Sequence, residues 1–175
     1  MSPAPGAAPP GPPPLRPFGL VLHRDGRFTH EGFPIRNARL RALFERSVRY
    51  LPEEGKYVVQ VGRFRGEIEV EEAGFFVRAV DLARGTIALS DRSEEPLEPA
   101  SVRPSALNPD TLLCTVKRGL VPGGLPARFE HGAQSELLLA VEEAGDGLAL
   151  RLAGRLRRLP GLGRYESELP PPGER

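Results

Sequence analysis

The sequence predicts an α+β fold with a duplicated core: two similar halves, each of antiparallel strands plus one helix. Three observations lead there. The stretch Gly32-Phe33-Pro34-Ile35-Arg36 returns as Gly124-Leu125-Pro126-Ala127-Arg128, 92 positions later. The same offset, without a gap, lays Gly55, Gly62, Arg63 and Arg65 on Gly147, Gly154, Arg155 and Arg157, and Leu20 on Leu112. An internal repeat leaves this kind of pattern. Finally, strand-like and helix-like stretches follow one another in the same order on both sides of a passage rich in Pro, Ser and Glu. The competing reading is coincidence, because a chain with 20 Gly and many Leu and Arg residues generates such matches.

Residues 1–17 are mostly Pro, Ala and Gly, which bury too little apolar surface to offset the entropy of ordering, so a disordered or polyproline II tail is expected. The first half covers 18–90. It opens with a strand at 20–23, and the Arg24-Asp25-Gly26 turn returns the chain through Arg27-Phe28-Thr29, Asp-Gly between strand formers being a strong hairpin signal. Pro34 then stops the strand, and Asn37 caps a helix expected to run to Leu51. Leu40, Leu43, Phe44, Val48 and Leu51 share one side of it, while Arg39, Arg41, Arg46 and Arg49 take the others. Strands are predicted at 57–61, 68–70, 75–80 and 86–89. A linker-like passage, 91–110, separates this half from a second one over 111–160. There a strand at 112–116, a loop at 121–124, a helix over 134–143 burying Leu137, Leu138 and Val141, and paired strands at 147–153 and 155–159 are expected. The end, 161–175, reads as loose.

Composition narrows the function classes. With 24 basic and 23 acidic residues, the net charge of +1 sets up no field that would collect nucleic acid or an anionic membrane surface. No apolar run is long enough for a membrane span, and no signal-peptide pattern opens the sequence. The single cysteine, Cys114, excludes an internal disulfide and suits a reducing, cytoplasmic setting; between Leu113 and Thr115 it reads as a small core side chain. His23, His30 and His131 show no metal-ligand spacing, and no nucleophile elbow, phosphate loop or dinucleotide fingerprint occurs. No catalytic residue, metal or cofactor is therefore assigned.

Two constellations carry chemistry. Glu69 and Glu71 share one face of a strand, with Glu72 at its end. The three would hold a metal or a partner's arginine, or form a solvated edge meeting Arg63 and Arg65. Arg36 and Arg128 end the two repeated corners, and Lys117 with Arg118 lies near the second. Their donor forks suit phosphate or carboxylate, or an acid close by. A site built from Arg36, Glu71, Glu72, Lys117, Arg118 and Arg128 is the expectation, with interface salt bridges as the alternative.

The stretch Arg24-Asp25-Gly26-Arg27-Phe28-Thr29-His30-Glu31-Gly32-Phe33-Pro34-Ile35 resembles the bacterial domain-of-unknown-function family twelve eighty-five (DUF1285), whose pattern there is Arg-Asp-Gly, an aromatic pair, then Gly-x-Pro-Ile. Ile68-Glu69-Val70-Glu71-Glu72-Ala73-Gly74-Phe75 is similar to that family's Ile-x-Val-Glu-Asp-Ala-Pro-Phe, and Lys117-Arg118-Gly119-Leu120 to its Arg-x-Gly-Leu. The likeness runs over 20–159. This chain departs from it at Glu72 for Asp, at Gly74 for Pro, and in lacking a tryptophan after Asp-Gly. A more distant likeness, to an uncharacterised mitochondrial family of the UPF0598 type with a Cys-Glu-Asp-Arg-Pro motif, covers the same corner. The bacterial resemblance implies a duplicated α+β core, a second half superficially like a pleckstrin-homology domain, a groove between the halves for a nucleotide-like ligand, and a signalling role without an established reaction.

The expectation is accordingly a non-enzymatic ligand-binding or regulatory module of the cytoplasm, with a nucleotide-like or anionic small molecule between its halves and no nucleic-acid or membrane partner. The alternatives are a carboxylate-based or metal-dependent enzyme using Glu69, Glu71 and Glu72, and a plain protein-interaction scaffold whose proline-rich tail would dock on an aromatic groove.

Overall fold

The Arg24-Asp25-Gly26 turn joins β1 (Arg16–Leu22) to β2 (Phe28–His30), with Leu22 opposite Phe28. The computed structural model describes residues 15–163. The expected tails thus lie mostly outside the described residues; of the part that is described, Arg16 and Pro17 belong to β1, and Gly161 and Leu162, expected to be loose, belong to a 3-10 turn. A short β3 (Phe33–Pro34) forms the edge beyond β2, where proline's missing N–H is harmless. Helix α1 (Ala38–Ser47) starts as its cap predicts, the Asn37 side-chain oxygen accepting the Leu40 N–H at 3.1 Å.

The helix stops a turn before Leu51. Val48, Arg49, Tyr50 and Leu51 instead form β4 (Val48–Leu51), which pairs with β5 (Lys56–Val61). The i, i+4, i+7 spacing of Phe44, Val48 and Leu51 imitates a helix face. A β-branched and an aromatic residue beside a partner strand favour the sheet, and Val48 is fully buried against Val59. From β5 the chain turns into β6 (Phe64–Val70), which lies parallel to β1 with Leu20 beside Ile68 and Leu22 beside Val70. The first sheet therefore reads β3-β2-β1-β6-β5-β4.

The second sheet repeats this plan. It consists of β7 (Phe75–Asp81), β8 (Thr86–Leu89), β9 (Glu94–Pro96), β10 (Arg103–Pro104), β11 (Leu112–Val116) and β12 (Leu125–Phe129), ordered β10-β11-β12-β7-β8-β9. In both sheets three strands step outward from the centre, the chain crosses to the far edge, and three strands step back until the last runs parallel to the first. The core is duplicated, with one parallel pair at the middle of each otherwise antiparallel sheet.

The repeat is not the one that the 92-residue offset marks. Gly32 to Arg36 spans edge strand β3, whereas Gly124 to Arg128 enters central strand β12, whose counterpart is β6. Both corners do lead from a strand into a helix, but they occupy different places in their sheets, so the matched spacing reflects composition. The sheets also part at Glu71 to Gly74 and not at 91–110, since that passage carries β9, a 3-10 turn (Pro99–Ser101) and β10. Pro96 and Pro104 look like linker prolines yet sit on edge strands, where a missing donor costs nothing.

After β12 comes α2 (His131–Leu139), then a three-stranded sheet of β13 (Val141–Ala144), β14 (Gly147–Leu152) and β15 (Arg155–Arg158), and a 3-10 turn (Pro160–Leu162). Helix α2 begins and ends earlier than expected because Val141 pairs with Leu150 in the sheet. It packs on β7 through Ala133 and Leu137, while Leu138 is exposed and Leu139 is 89% exposed. One apolar cluster runs from Leu20 through Phe28, Phe75, Ile87 and Leu137 to Leu159, so the two halves share a core. Gly74 lies in the seam between them. A Cβ there would stand 2.2 Å from Cε1 of Tyr57, which explains a glycine where the related pattern has proline.

Candidate functional site

Glu71 and Glu72 form the bend between β6 and β7, and their side chains turn toward different sheets. Glu71 turns to the first hairpin, where its carboxylate accepts the Arg24 backbone N–H at 2.9 Å and meets His23 Nδ1 at 2.7 Å. These two contacts, the backbone bond foremost, hold its carboxyl below the usual range. Glu72 turns to the second sheet and meets the Arg128 guanidinium at 2.7 Å, with side chains 8% and 12% exposed. Ser105 Oγ donates to the other carboxylate oxygen, and Arg128 also donates to Thr111 Oγ1 at 3.1 Å. Glu69 stays exposed on β6, so the three glutamates do not converge. Among the described residues, no three His, Cys, Asp or Glu side chains are grouped to hold a metal ion.

Lys117 is occupied elsewhere. Its ammonium lies 2.8 Å from Asp91, 2.9 Å from Glu95 and 2.6 Å from Ser93 Oγ, with the Phe75 ring 5.0 Å away. Its backbone N–H donates to Glu95 at 2.8 Å as well, so the second sheet curls far enough to bring the end of β11 to β9. Burial pushes the Asp91 carboxyl up, but hydrogen bonds from Lys117 and Ser93 outweigh it and hold the group below the usual range. Arg36 and Arg118 are exposed on separate loops and form no ion pair among the described residues. Of the six expected site residues, then, only Glu72 and Arg128 meet.

What lies between the halves is a groove. One cleft of about 420 Å³ is lined by Asp25 from the first hairpin and by Phe76, Asp110, Thr111, Arg128, Glu130 and His131 among others from the second sheet and α2. A second cleft, about 460 Å³, contains His23, Arg24, Asp25, Arg27, Glu71 and Leu107. The two share Asp25, whose carboxylate accepts both the backbone N–H of Arg27 at 3.1 Å and its Nε at 2.6 Å. Burial raises the Asp25 carboxyl, and the Arg27 contacts together outweigh it and bring the group below its usual value. Gln134 is a fixed wall: its amide donates to the Asp110 carbonyl at 2.7 Å and accepts the Leu112 N–H at 2.8 Å.

No protein-family model and no curated protein matches the sequence. Among solved structures, the crystal structure of a DUF1285 family protein from Silicibacter pomeroyi DSS-3 superposes with a TM-score of 0.58 at 17% identity, covering 84% of this chain and 82% of that one. The chain has the DUF1285 fold. A DUF1285 family protein from Shewanella baltica OS155 also matches, with a TM-score of 0.46 and 14% identity over 69% of this chain and 91% of that one. The likeness to DUF1285 read from the sequence has its counterpart in the fold shared with the Silicibacter pomeroyi protein.

Within the DUF1285 fold, the groove residues that the sequence analysis passed over are Asp25, Asp110, Thr111, Glu130 and His131. The missing signal was β12. Leu113 pairs with Arg128, so a hairpin of β11 and β12 places Asp110 and Thr111 beside Glu130 and His131. His23 was also underread. Its Nε2 stands 2.9 Å from Thr29 Oγ1 while Nδ1 meets Glu71, a hydroxyl, imidazole and carboxylate in series. Thr29 does not line the adjoining cleft, so the series braces the hairpin and presents no hydroxyl to a ligand there. Cys114 is equally withdrawn, fully buried with its thiol pushed up to about 12 by that burial.

Proposed function

We propose that the protein is a non-catalytic ligand-binding module with a regulatory role, and that a nucleotide-like molecule lies in the groove between its halves. The observation that carries this reading is the change of chemistry across two neighbouring clefts that share Asp25. Asp110 offers a carboxylate acceptor and Glu130 a second one, one oxygen of which lies 3.3 Å from Arg78 Nε, and Thr111 and the edges of the buried Phe76 and Phe129 supply the rest of that end. Such a lining favours the N–H donors and flat apolar face of a base. Arg128 adds little free positive charge there, because Glu72 neutralises it. At the other end Arg24 is exposed and without an ion pair among the described residues, a position for a phosphate. The enzyme alternative loses its geometric support, since Glu69, Glu71 and Glu72 face different surroundings.

Isothermal titration with the four ribonucleoside monophosphates tests this. The expected result is saturable binding by at least one of them. Losing a charged hydrogen bond weakens binding by about ten-fold, so Asp110→Asn and Arg24→Gln should each have that effect. Arg24→Gln should leave the corresponding nucleoside unaffected. Heats no larger than dilution for all four, or binding indifferent to both substitutions, would overturn the assignment.

A further inference from the structure

We propose a second binding site, separate from the groove, for a small phosphate-bearing anion. The turn between β7 and β8, the 96–100 segment and the β14–β15 hairpin surround a cleft of about 410 Å³. Arg84, Arg157 and Arg158 line it against a single lining carboxylate, Glu98. This reverses the balance of the groove, where carboxylates outnumber arginines.

Two of the arginines keep donors available. Arg157 forms no ion pair among the described residues and Arg84 meets Glu94 at 2.7 Å, whereas the Arg158 guanidinium turns away to Asp146 at 2.6 Å, beside Gly145 and Gly147, so that Arg158 lines the cleft without aiming its charge into it. A guanidinium carries five N–H donors in a planar fork, so Arg157 and Arg84 have groups left to match a phosphate's oxygens. All four residues of β15 are exposed, which keeps these charges hydrated until an anion arrives.

The frame is fixed by backbone contacts. The Ala153 N–H donates to the Leu82 carbonyl at 2.8 Å, and the Leu97 N–H to the Gly85 carbonyl at 2.9 Å. Gly85 lets the two turns close on each other, since a Cβ there would sit 3.3 Å from Leu152 Cγ. Arginine stems mounted on such a frame spend less ordering entropy when the anion binds.

Isothermal titration with inorganic pyrophosphate decides the matter. Saturable one-to-one binding that weakens with added salt is expected. Arg157→Gln and Arg84→Gln should each weaken it about ten-fold or more, as loss of a charged hydrogen bond does. Arg63→Gln, an exposed arginine in the turn between β5 and β6, should leave it unchanged. Absence of saturable heat, or an Arg63→Gln effect equal to that of Arg157→Gln, would overturn the site.

Discussion

Replacing Arg128 with alanine is expected to lower the stability of the protein by about 3–5 kcal/mol, the cost of leaving a buried partner charge unmatched. At this chain length that corresponds to a fall in melting temperature on the order of 10 °C. The reason is the position of Glu72. Its carboxylate is 8% exposed in the seam where the first sheet hands over to the second, and without Arg128 only Ser105 remains to satisfy it. Thr111, at the head of β11, loses a donor at the same time. Replacing both charges by apolar groups, Arg128→Met with Glu72→Leu, should recover much of the loss, because desolvating an ion pair offsets most of its attraction. Thermal and urea denaturation measure both effects. A change below about 1 kcal/mol for Arg128→Ala would mean that the pair is solvated and does not tie the halves.

Lys117→Ala should come second, at about 3 kcal/mol near neutral pH, for the same physical reason. Here the pH dependence supplies an internal control. In the native protein Asp91 is held below its ordinary value of 3.8, so its contribution is present above that value and is lost as pH falls through the folded-state value. Without Lys117, burial of Asp91 is opposed chiefly by Ser93, and the carboxyl moves upward. A raised carboxyl loses stability as pH rises. The stability curves of the native and substituted proteins should therefore lie closest at acidic pH and separate above about pH 4. Parallel curves across that window would show that Lys117 acts through packing on Phe75 and not through Asp91.

Much of the fold was legible because local signals and tertiary structure agreed. The Asp-Gly turn, the Asn37 cap and the alternating strands 86–89 and 112–116 stand where the sequence placed them. Legibility failed where a local pattern served two structures. Val48 to Leu51 fits a helix face until β5 offers a partner, and Leu125 to Phe129 resembled a proline corner until β7 and β11 flanked it. Strand β12 tolerates Pro126 because its pairing with β7 begins only at Ala127, which leaves position 126 with a neighbour on the β11 side alone. Missing β12 hid the groove, since that strand brings Asp110 beside His131. The charge partners were harder still. Glu72 with Arg128 and Lys117 with Asp91 are distant in sequence and depend on how each sheet curls, which no single-chain spacing encodes.

Amide chemical-shift mapping decides whether the groove between the halves receives a nucleotide-like ligand. On titration with a ribonucleoside monophosphate, concerted shifts are expected at Asp25, Asp110, Thr111 and His131, with the interior of the first sheet at Val58 and Val59 unmoved. Shifts confined to residues away from the groove, with Asp25, Asp110, Thr111 and His131 unchanged at saturating ligand, would contradict it.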